Sequence, residues 1–266
     1  MAIKNIADLP IRTVKDTVRK INFMVYGESG SGKTRLLGSS VLVPELLPML
    51  LIDVEGGTLT LSTTYPEVEC VRVTNWQDLK KIQDRLKNSD HGYKTIGVDS
   101  LTETQKLGME YTMRQRHGDT NDLAVPEIKE WNINVEQVRS FVRFLRDLEG
   151  VNCLFTALVR VDTDKRTGLS RKKPSLNGKV ADEVSGFLDV VTYLGVEDVD
   201  GKSTRILQTG NTPGTIAKDR SNRLDLLMAD PTMADIYYRI ITKEENDIQA
   251  EHDRPGSGVE GLRVSS

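Results

Sequence analysis

The sequence predicts an α/β fold with a mainly parallel sheet, helices on both faces and an antiparallel hairpin at one edge. Short apolar runs rich in β-branched residues alternate with segments of helical periodicity, which is typical of parallel α/β sheets. The runs are almost continuously apolar, as expected for strands covered on both faces. Two later runs follow each other across a short turn, which indicates a hairpin instead.

Five strands and two helices are predicted from these patterns. The strands are residues 21–27, 49–54, 68–73, 95–100 and 151–157. One helix spans 75–87 and begins at a capping Asn75, and the other spans 132–148 with its apolar residues on one stripe. The hairpin joins residues 189–198 to 203–210 through the turn "VDGK".

The chain divides into three predicted parts. Residues 1–20 form an N-terminal segment and residues 21–242 form the core. Residues 243–266 are polar and rich in Gly, Pro and Ser, so we expect a disordered tail.

Composition limits the functional classes. The formal net charge of −3 over 266 residues excludes a uniformly basic nucleic-acid binder, although it leaves room for a local basic surface. The two cysteines, Cys70 and Cys153, lie in apolar runs, which argues against a disulfide framework or a metal site. No apolar run approaches the ~18 residues of a membrane span. We therefore expect a cytoplasmic protein without a membrane partner.

A phosphate-binding loop is predicted within the stretch "VYGESGSGKTRLL", residues 25–37, which contains G-x-x-x-x-G-K-[ST] between a strand and a helix. Its glycines allow backbone N–H groups to turn toward phosphate oxygens. Lys33 is expected to reach the β- and γ-phosphates, and the Thr34 hydroxyl to ligate Mg²⁺. The predicted nucleotide-binding residues are Gly27, Glu28, Ser29, Gly30, Ser31, Gly32, Lys33, Thr34 and Arg35.

Acidic residues end two of the predicted strands. Asp99 would reach the same sheet edge as the glycine loop, where it can hold Mg²⁺; alternatively, it caps the following helix. Asp53 and Glu55 follow another strand and lie on the same side of an extended chain. We favour Glu55 as the general base and Asp53 as a structural group, with a solvated loop carboxylate as the alternative for Glu55.

Two short sequence motifs at these strand ends resemble those of a known protein family. "IDVEGG" and "VDS" resemble the RecA-type ATPase core, and residues 21–240 are similar to the short RecA-core ATPases common in phages, several of which are single-strand annealing recombinases. The resemblance implies Mg²⁺-dependent ATP hydrolysis, with Glu55 as catalytic base, in a homo-oligomer that holds nucleotide between protomers and binds single-stranded DNA. A single-strand binding protein is a further candidate partner, and a phage-encoded protein of this kind would act in the cytoplasm of a bacterial host. ATP is favoured over GTP because the guanine-reading N-K-x-D motif is absent.

Two basic features fit this resemblance. In RecA-like enzymes a basic pair at the position of Lys218 and Arg220 reaches the neighbouring protomer's ATP and stabilises transition-state charge. The alternative is that both residues are solvated surface cations. Residues 160–179 contain seven basic residues against two acids, a local charge of +5, at the position of a DNA-contacting loop. The residues expected to contact DNA are Arg160, Lys165, Arg166, Arg171, Lys172 and Lys173.

The basic segment contains no aromatic residue, so we expect electrostatic and sequence-independent binding. Trp76 and Trp131 are expected to be packing residues. RecA has a polar Asn-Gln pair where this chain reads "LFTALV", in which only Thr156 is polar, so coupling between ATP and DNA is expected to be weaker.

The leading hypothesis is therefore a RecA-like ATPase that binds single-stranded DNA and promotes annealing or recombination as an oligomer. Two alternatives remain open. One is a small-molecule kinase whose basic segment closes over the nucleotide as a lid, and the other is a nucleotide-gated adaptor or loader for a DNA replication protein.

Overall fold

The computed structural model describes residues 4–6, 9–11, 20–88, 90–118 and 125–241. The predicted tail, residues 243–266, lies outside the described residues, as does most of the N-terminal segment.

A large mixed sheet organises the described chain. Its strands, in chain order, are β3 Asn22–Gly27, β4 Met49–Asp53, β5 Glu69–Arg72, β6 Thr95–Asp99, β7 Asn152–Thr163, β8 Ser170–Pro174, β9 Val190–Val199, β10 Lys202–Gln208, β11 Lys218–Asp219 and β12 Leu227–Ala229. The short strands β1 Lys4–Ile6 and β2 Leu9–Ile11 form a separate antiparallel pair.

Seven α-helices occur in the described residues: α1 Lys33–Gly38, α2 Leu59–Thr64, α3 Trp76–Asn88, α4 Leu101–His117, α5 Ile128–Asp147, α6 Val180–Phe187 and α7 Met233–Ile241. None of the helices that the structure describes has the length and apolar character needed to cross a bilayer.

The strand order is β12-β10-β9-β3-β7-β6-β4-β5. The six strands from β9 to β5 are parallel, whereas β10 and β12 extend the β9 edge in antiparallel fashion. Because parallel strands end at one edge of the sheet, the loops after β3, β4 and β6 begin there, whereas β7 continues past this edge to Thr163.

Both faces of the central strands are covered, as the continuous apolar runs predict, whereas the edge strand β5 is largely exposed. In β3, Phe23 and Val25 pack into one buried cluster with residues of α1 and α7. Met24 and Tyr26 point the other way, into a cluster with residues of α3, α4, α5 and α6. The glycine loop therefore starts from a strand that is buried on both sides, which fixes its position.

The predicted fold class is confirmed, and the differences have local causes. The strand predicted for 151–157 continues to Thr163 because β8 pairs with its polar half. The helix predicted from 132 begins at Ile128, where Glu127 and Glu130 form reciprocal capping hydrogen bonds. Helix α4 was not predicted, since its apolar residues are sparse along the sequence.

Candidate nucleotide site and basic hairpin

The glycine loop joins β3 to α1 and forms a cradle of backbone groups. Gly30 and Gly32 have φ angles of 78° and 98°, which side-chain-bearing residues rarely adopt. Lys33 is 6% exposed, and its ammonium donates hydrogen bonds to the carbonyls of Gly27 (3.1 Å) and Glu28 (2.7 Å). Burial lowers the pKa of Lys33, while the charges of Glu55 and Asp99 act in the opposite direction. The Lys33 side chain is thus held against the backbone of the loop.

Thr34 and Asp99 meet beside this loop. The Thr34 hydroxyl donates to Asp99 Oδ2 over 2.6 Å, and the Thr156 hydroxyl donates to Asp99 Oδ1. The following helix is capped by Ser100, whose Oγ accepts from the Glu103 N–H, so Asp99 does not take the alternative role of helix cap. Hydroxyl and carboxylate oxygens are hard ligands of the kind Mg²⁺ prefers, so this pair fits the ion chemically.

Glu55 lies on the same edge, immediately after β4. Its backbone N–H donates to the Asp99 carbonyl over 2.9 Å, which fixes the loop against β6, while its side chain is exposed. Gly57 follows; a Cβ built there would lie 3.6 Å from Thr34 Oγ1 and 3.7 Å from Asp99 Oδ2. Glycine therefore leaves open space between the Glu55 loop and the Thr34–Asp99 pair.

Asp53 stabilises the loop that carries Glu55. It is buried, and its Oδ1 accepts from the Gly56 N–H over 2.6 Å and forms an ion pair with Arg72 at 3.3 Å. Arg72 was not anticipated from the sequence. Its contact with Asp53 follows from the register of the sheet, which places Arg72 directly beside Asp53 on neighbouring strands.

A cavity of about 290 Å³ lies beside the glycine loop. Its lining includes Arg35, Tyr65 and Arg205, together with Gly32. Arg205 belongs to β10, and a Cβ added to Gly32 would collide with its Nε. The sequence predicted the hairpin that carries Arg205 but not its contact with the glycine loop, because that contact depends on β9 pairing with β3.

The basic segment forms a β-hairpin, which we call the basic hairpin: the end of β7 from Leu158, the turn 164–169 and β8. Lys165 and Arg166 are exposed in its turn. Asp162 forms ion pairs with Arg160 (3.6 Å) and Lys173, and the hydrogen bond from Lys173 holds the pKa of Asp162 below its usual range. These ion pairs involve two of the seven basic side chains of the segment, and the net charge of +5 already counts Asp162.

The base of the basic hairpin is bonded to the core. The Lys172 N–H donates to the Gly214 carbonyl over 2.8 Å, and the Lys172 carbonyl accepts from the Ile216 N–H and the Tyr26 hydroxyl. The Lys172 ammonium lies 4.4 Å from the centre of the Tyr193 ring. Arg171 donates to Asn211 over 2.8 Å. Four of the six predicted DNA-contacting residues therefore have partners within the chain.

Helix α4 links the basic hairpin to the Thr34–Asp99 pair. It begins two residues after Asp99, and the hydroxyl of Thr102 accepts from the Leu158 N–H (3.0 Å) and donates to the Ser175 carbonyl (3.2 Å). Both ends of the hairpin are thus hydrogen-bonded to the first turn of this helix.

Lys218 and Arg220 lie away from the glycine loop. Lys218 pairs with Val191, near the start of the parallel strands, and its ammonium donates to the Ser185 carbonyl. Burial, followed by the charge of Arg220, lowers the pKa of Lys218. Arg220 forms an ion pair with Asp189 at 3.2 Å and remains about half exposed. Neither side chain is directed at the nucleotide site of its own chain.

Comparison with known proteins gives one family match. Residues 19–221 match the model of a protein family described as an AAA domain. No curated protein matches the chain.

Several solved structures are similar. The flagellar accessory protein FlaH from Methanocaldococcus jannaschii has 10% identity and a TM-score of 0.44, over 79% of this chain and 85% of that one. A KaiC-like protein from Pyrococcus horikoshii OT3 has 13% identity and a TM-score of 0.41, over 71% and 77%. The RadB recombinase has 15% identity and a TM-score of 0.38, over 71% and 79%.

Proposed function

Because the chain belongs to the AAA domain family and has a RecA-like P-loop NTPase fold, we propose that it hydrolyses ATP with Mg²⁺ and binds single-stranded DNA as an oligomer, in annealing or recombination. The observation that carries the proposal is the convergence of Lys33, Thr34, Asp99 and Glu55 at one sheet edge. Annealing of complementary oligonucleotides, with and without ATP, is the direct test; no acceleration in either condition would contradict the annealing role.

Each residue of the site has a defined task in hydrolysis. The loop N–H groups and Lys33 would bind the β- and γ-phosphates, and Thr34 and Asp99 would hold Mg²⁺, which would supply positive charge to the phosphate oxygens. Glu55 orients water and accepts its proton as the water oxygen bonds to the γ-phosphorus and the bond to the bridging oxygen breaks. The cavity beside Arg205 and Tyr65 would take the nucleoside.

Lys218 and Arg220 would act on a neighbouring protomer. Their distance from their own glycine loop supports this, since a head-to-tail assembly can bring one protomer's far edge to the next protomer's nucleotide. Arg220 would then exchange Asp189 for phosphate charge on the adjacent subunit.

Mixing two inactive variants tests this arrangement. Arg220→Ala retains Glu55, and Glu55→Gln retains Arg220, so a site between the two subunits would be complete. We expect a random equimolar mixture to recover about a quarter of wild-type ATP hydrolysis. The control mixture pairs Glu55→Gln with Lys33→Ala, which damage the same subunit's site and cannot complement. If the first mixture stays as inactive as the control, Arg220 does not act in trans.

The basic hairpin would bind the DNA backbone. Its anchored base distinguishes it from a hinged lid, because main-chain hydrogen bonds hold it on both sides. Lys165 and Arg166 are exposed at its tip and suit contacts with phosphates.

Removing these two tip charges tests the DNA contact. The double substitution Lys165→Ala and Arg166→Ala should reduce the salt dependence of single-stranded DNA binding by about 1.4 in the slope of log K against log salt, at ~0.7 for each phosphate contact. Fluorescence anisotropy at several salt concentrations measures it. The matched control is Lys80→Ala with Lys81→Ala, which removes two exposed charges from α3. Equal slopes for the two double variants would exclude the hairpin tip as a DNA contact.

A further inference from the structure

Two surface cavities of about 530 and 330 Å³ share Trp131 and Asn177. They lie between α4, α5 and the segment 175–179 that follows the basic hairpin. Trp131 is partly exposed between them, whereas Trp76, the other tryptophan, is 4% exposed and packs against Phe141. The expectation of a packing role therefore holds for Trp76 but does not account for the partial exposure of Trp131.

We propose that Trp131 is a stacking platform for a base of single-stranded nucleic acid and extends the DNA path that starts on the basic hairpin. This inference rests on the proposed DNA-binding function and adds a base contact to it. Aromatic side chains bind single strands without sequence preference because every base has a π face.

The position of Trp131 relative to the basic hairpin supports this path. Strand β8 ends at Pro174, and the Ser175 N–H donates to the Leu158 carbonyl over 2.7 Å. The Asn177 N–H then donates to the side-chain oxygen of Gln105 over 2.7 Å. These hydrogen bonds hold Asn177, which lines both cavities, at a fixed place four residues beyond Lys173. A DNA strand that lies on the basic hairpin can therefore continue over Trp131.

The chemistry of the cavities fits a base better than a phosphate or an apolar peptide. Two of the three lining cations are paired, Arg139 with Glu136 and Glu183 and Lys106 with Glu103, and the charge of the third, Lys179, is matched in number by one lining acid, Glu110. Apolar lining is limited to Trp131, Val135 and Met109. The remaining uncharged side chains of the lining are polar: Thr102, Gln105, Ser175, Asn132 and Asn177. The side-chain amides of Asn132 and Asn177 are suited to the hydrogen-bonding edges of a base.

Tryptophan fluorescence provides a direct test, since the chain has only two tryptophans. In a Trp76→Phe variant all tryptophan emission comes from Trp131. We expect a single-stranded oligonucleotide to quench it saturably. We also expect Trp131→Ala to weaken binding by roughly 5- to 150-fold while leaving the salt slope unchanged. Trp76→Phe is the control and should bind the oligonucleotide as the wild type does.

An abasic oligonucleotide separates stacking from charge. It keeps the phosphates, so the hairpin contacts remain, and Trp131→Ala should bind it as tightly as the wild type. Trp131→Phe, which keeps an aromatic ring, should recover most of the affinity for the normal oligonucleotide and guards against misfolding of the alanine variant.

The outcomes distinguish this inference from the proposed function. If the Lys165/Arg166 double variant alters binding but Trp131 shows neither quenching nor an affinity change, the platform is excluded and hairpin-mediated DNA binding stands. If the wild-type protein binds no single-stranded oligonucleotide in any nucleotide state, both proposals are overturned.

Discussion

Replacing Glu55 by glutamine is expected to lower the rate of ATP hydrolysis by about 10²- to 10⁴-fold. The side chain keeps its size but can no longer accept a proton from water. Nucleotide affinity should change little, because the glycine loop, Lys33 and Thr34 make the phosphate contacts. Phosphate release under single-turnover conditions, together with equilibrium binding of a fluorescent ATP analogue, measures the two quantities separately.

The matched control is Glu67→Gln, which neutralises an exposed glutamate on the chain between β4 and β5. This control should hydrolyse ATP at the wild-type rate. Equal rates for Glu55→Gln and the wild type would remove Glu55 as the base and would favour a nucleotide-gated adaptor over an enzyme.

Asp99→Asn should abolish most of the response to Mg²⁺. The Asp99 carboxylate is 1% exposed and accepts hydrogen bonds from Thr34 and Thr156, so both of its oxygens face donors. An amide has one acceptor oxygen and no charge, which makes it a poor ligand for a hard divalent cation. If the ion supplies about 4 kcal/mol of transition-state stabilisation, the hydrolysis rate falls roughly 10³-fold.

A magnesium titration of the hydrolysis rate measures this effect, and Thr156→Val is the matched control. Thr156→Val removes one hydrogen bond to Asp99 but keeps the carboxylate, so its rate should still rise with added Mg²⁺. An Asp99→Asn variant with an unchanged magnesium dependence would show that Asp99 does not hold the ion.

Local sequence patterns were sufficient to predict the glycine loop and the strand ends at its edge. The spacing of Gly27, Lys33 and Thr34 lies within one loop and helix, and Asp99 follows directly from the end of an apolar run. Parallel strands must present such ends on the same side. The juxtaposition of Thr34 and Asp99, which are 65 residues apart, follows from these two facts.

Residues whose roles depend on sheet order were not predictable in this way. Arg72 reaches Asp53 only because β5 pairs with β4, and Arg205 reaches Gly32 only because β9 lies next to β3. The ion pair between Lys173 and Asp162 was not predictable either, since it depends on the register of β7 and β8. Composition counts charges but does not reveal which of them neutralise each other.

The neighbours of β3 have a consequence for how the protein is made. Its hydrogen bonds go to β7 and β9, on segments 131 and 168 residues further along the chain. Contacts between residues this far apart in the sequence form late in folding, because the entropy cost of closing a long loop must be overcome first. During synthesis the glycine loop therefore leaves the ribosome long before its supporting strands. A nascent chain that ends before β9 should be unable to retain nucleotide, although it already contains the whole binding motif.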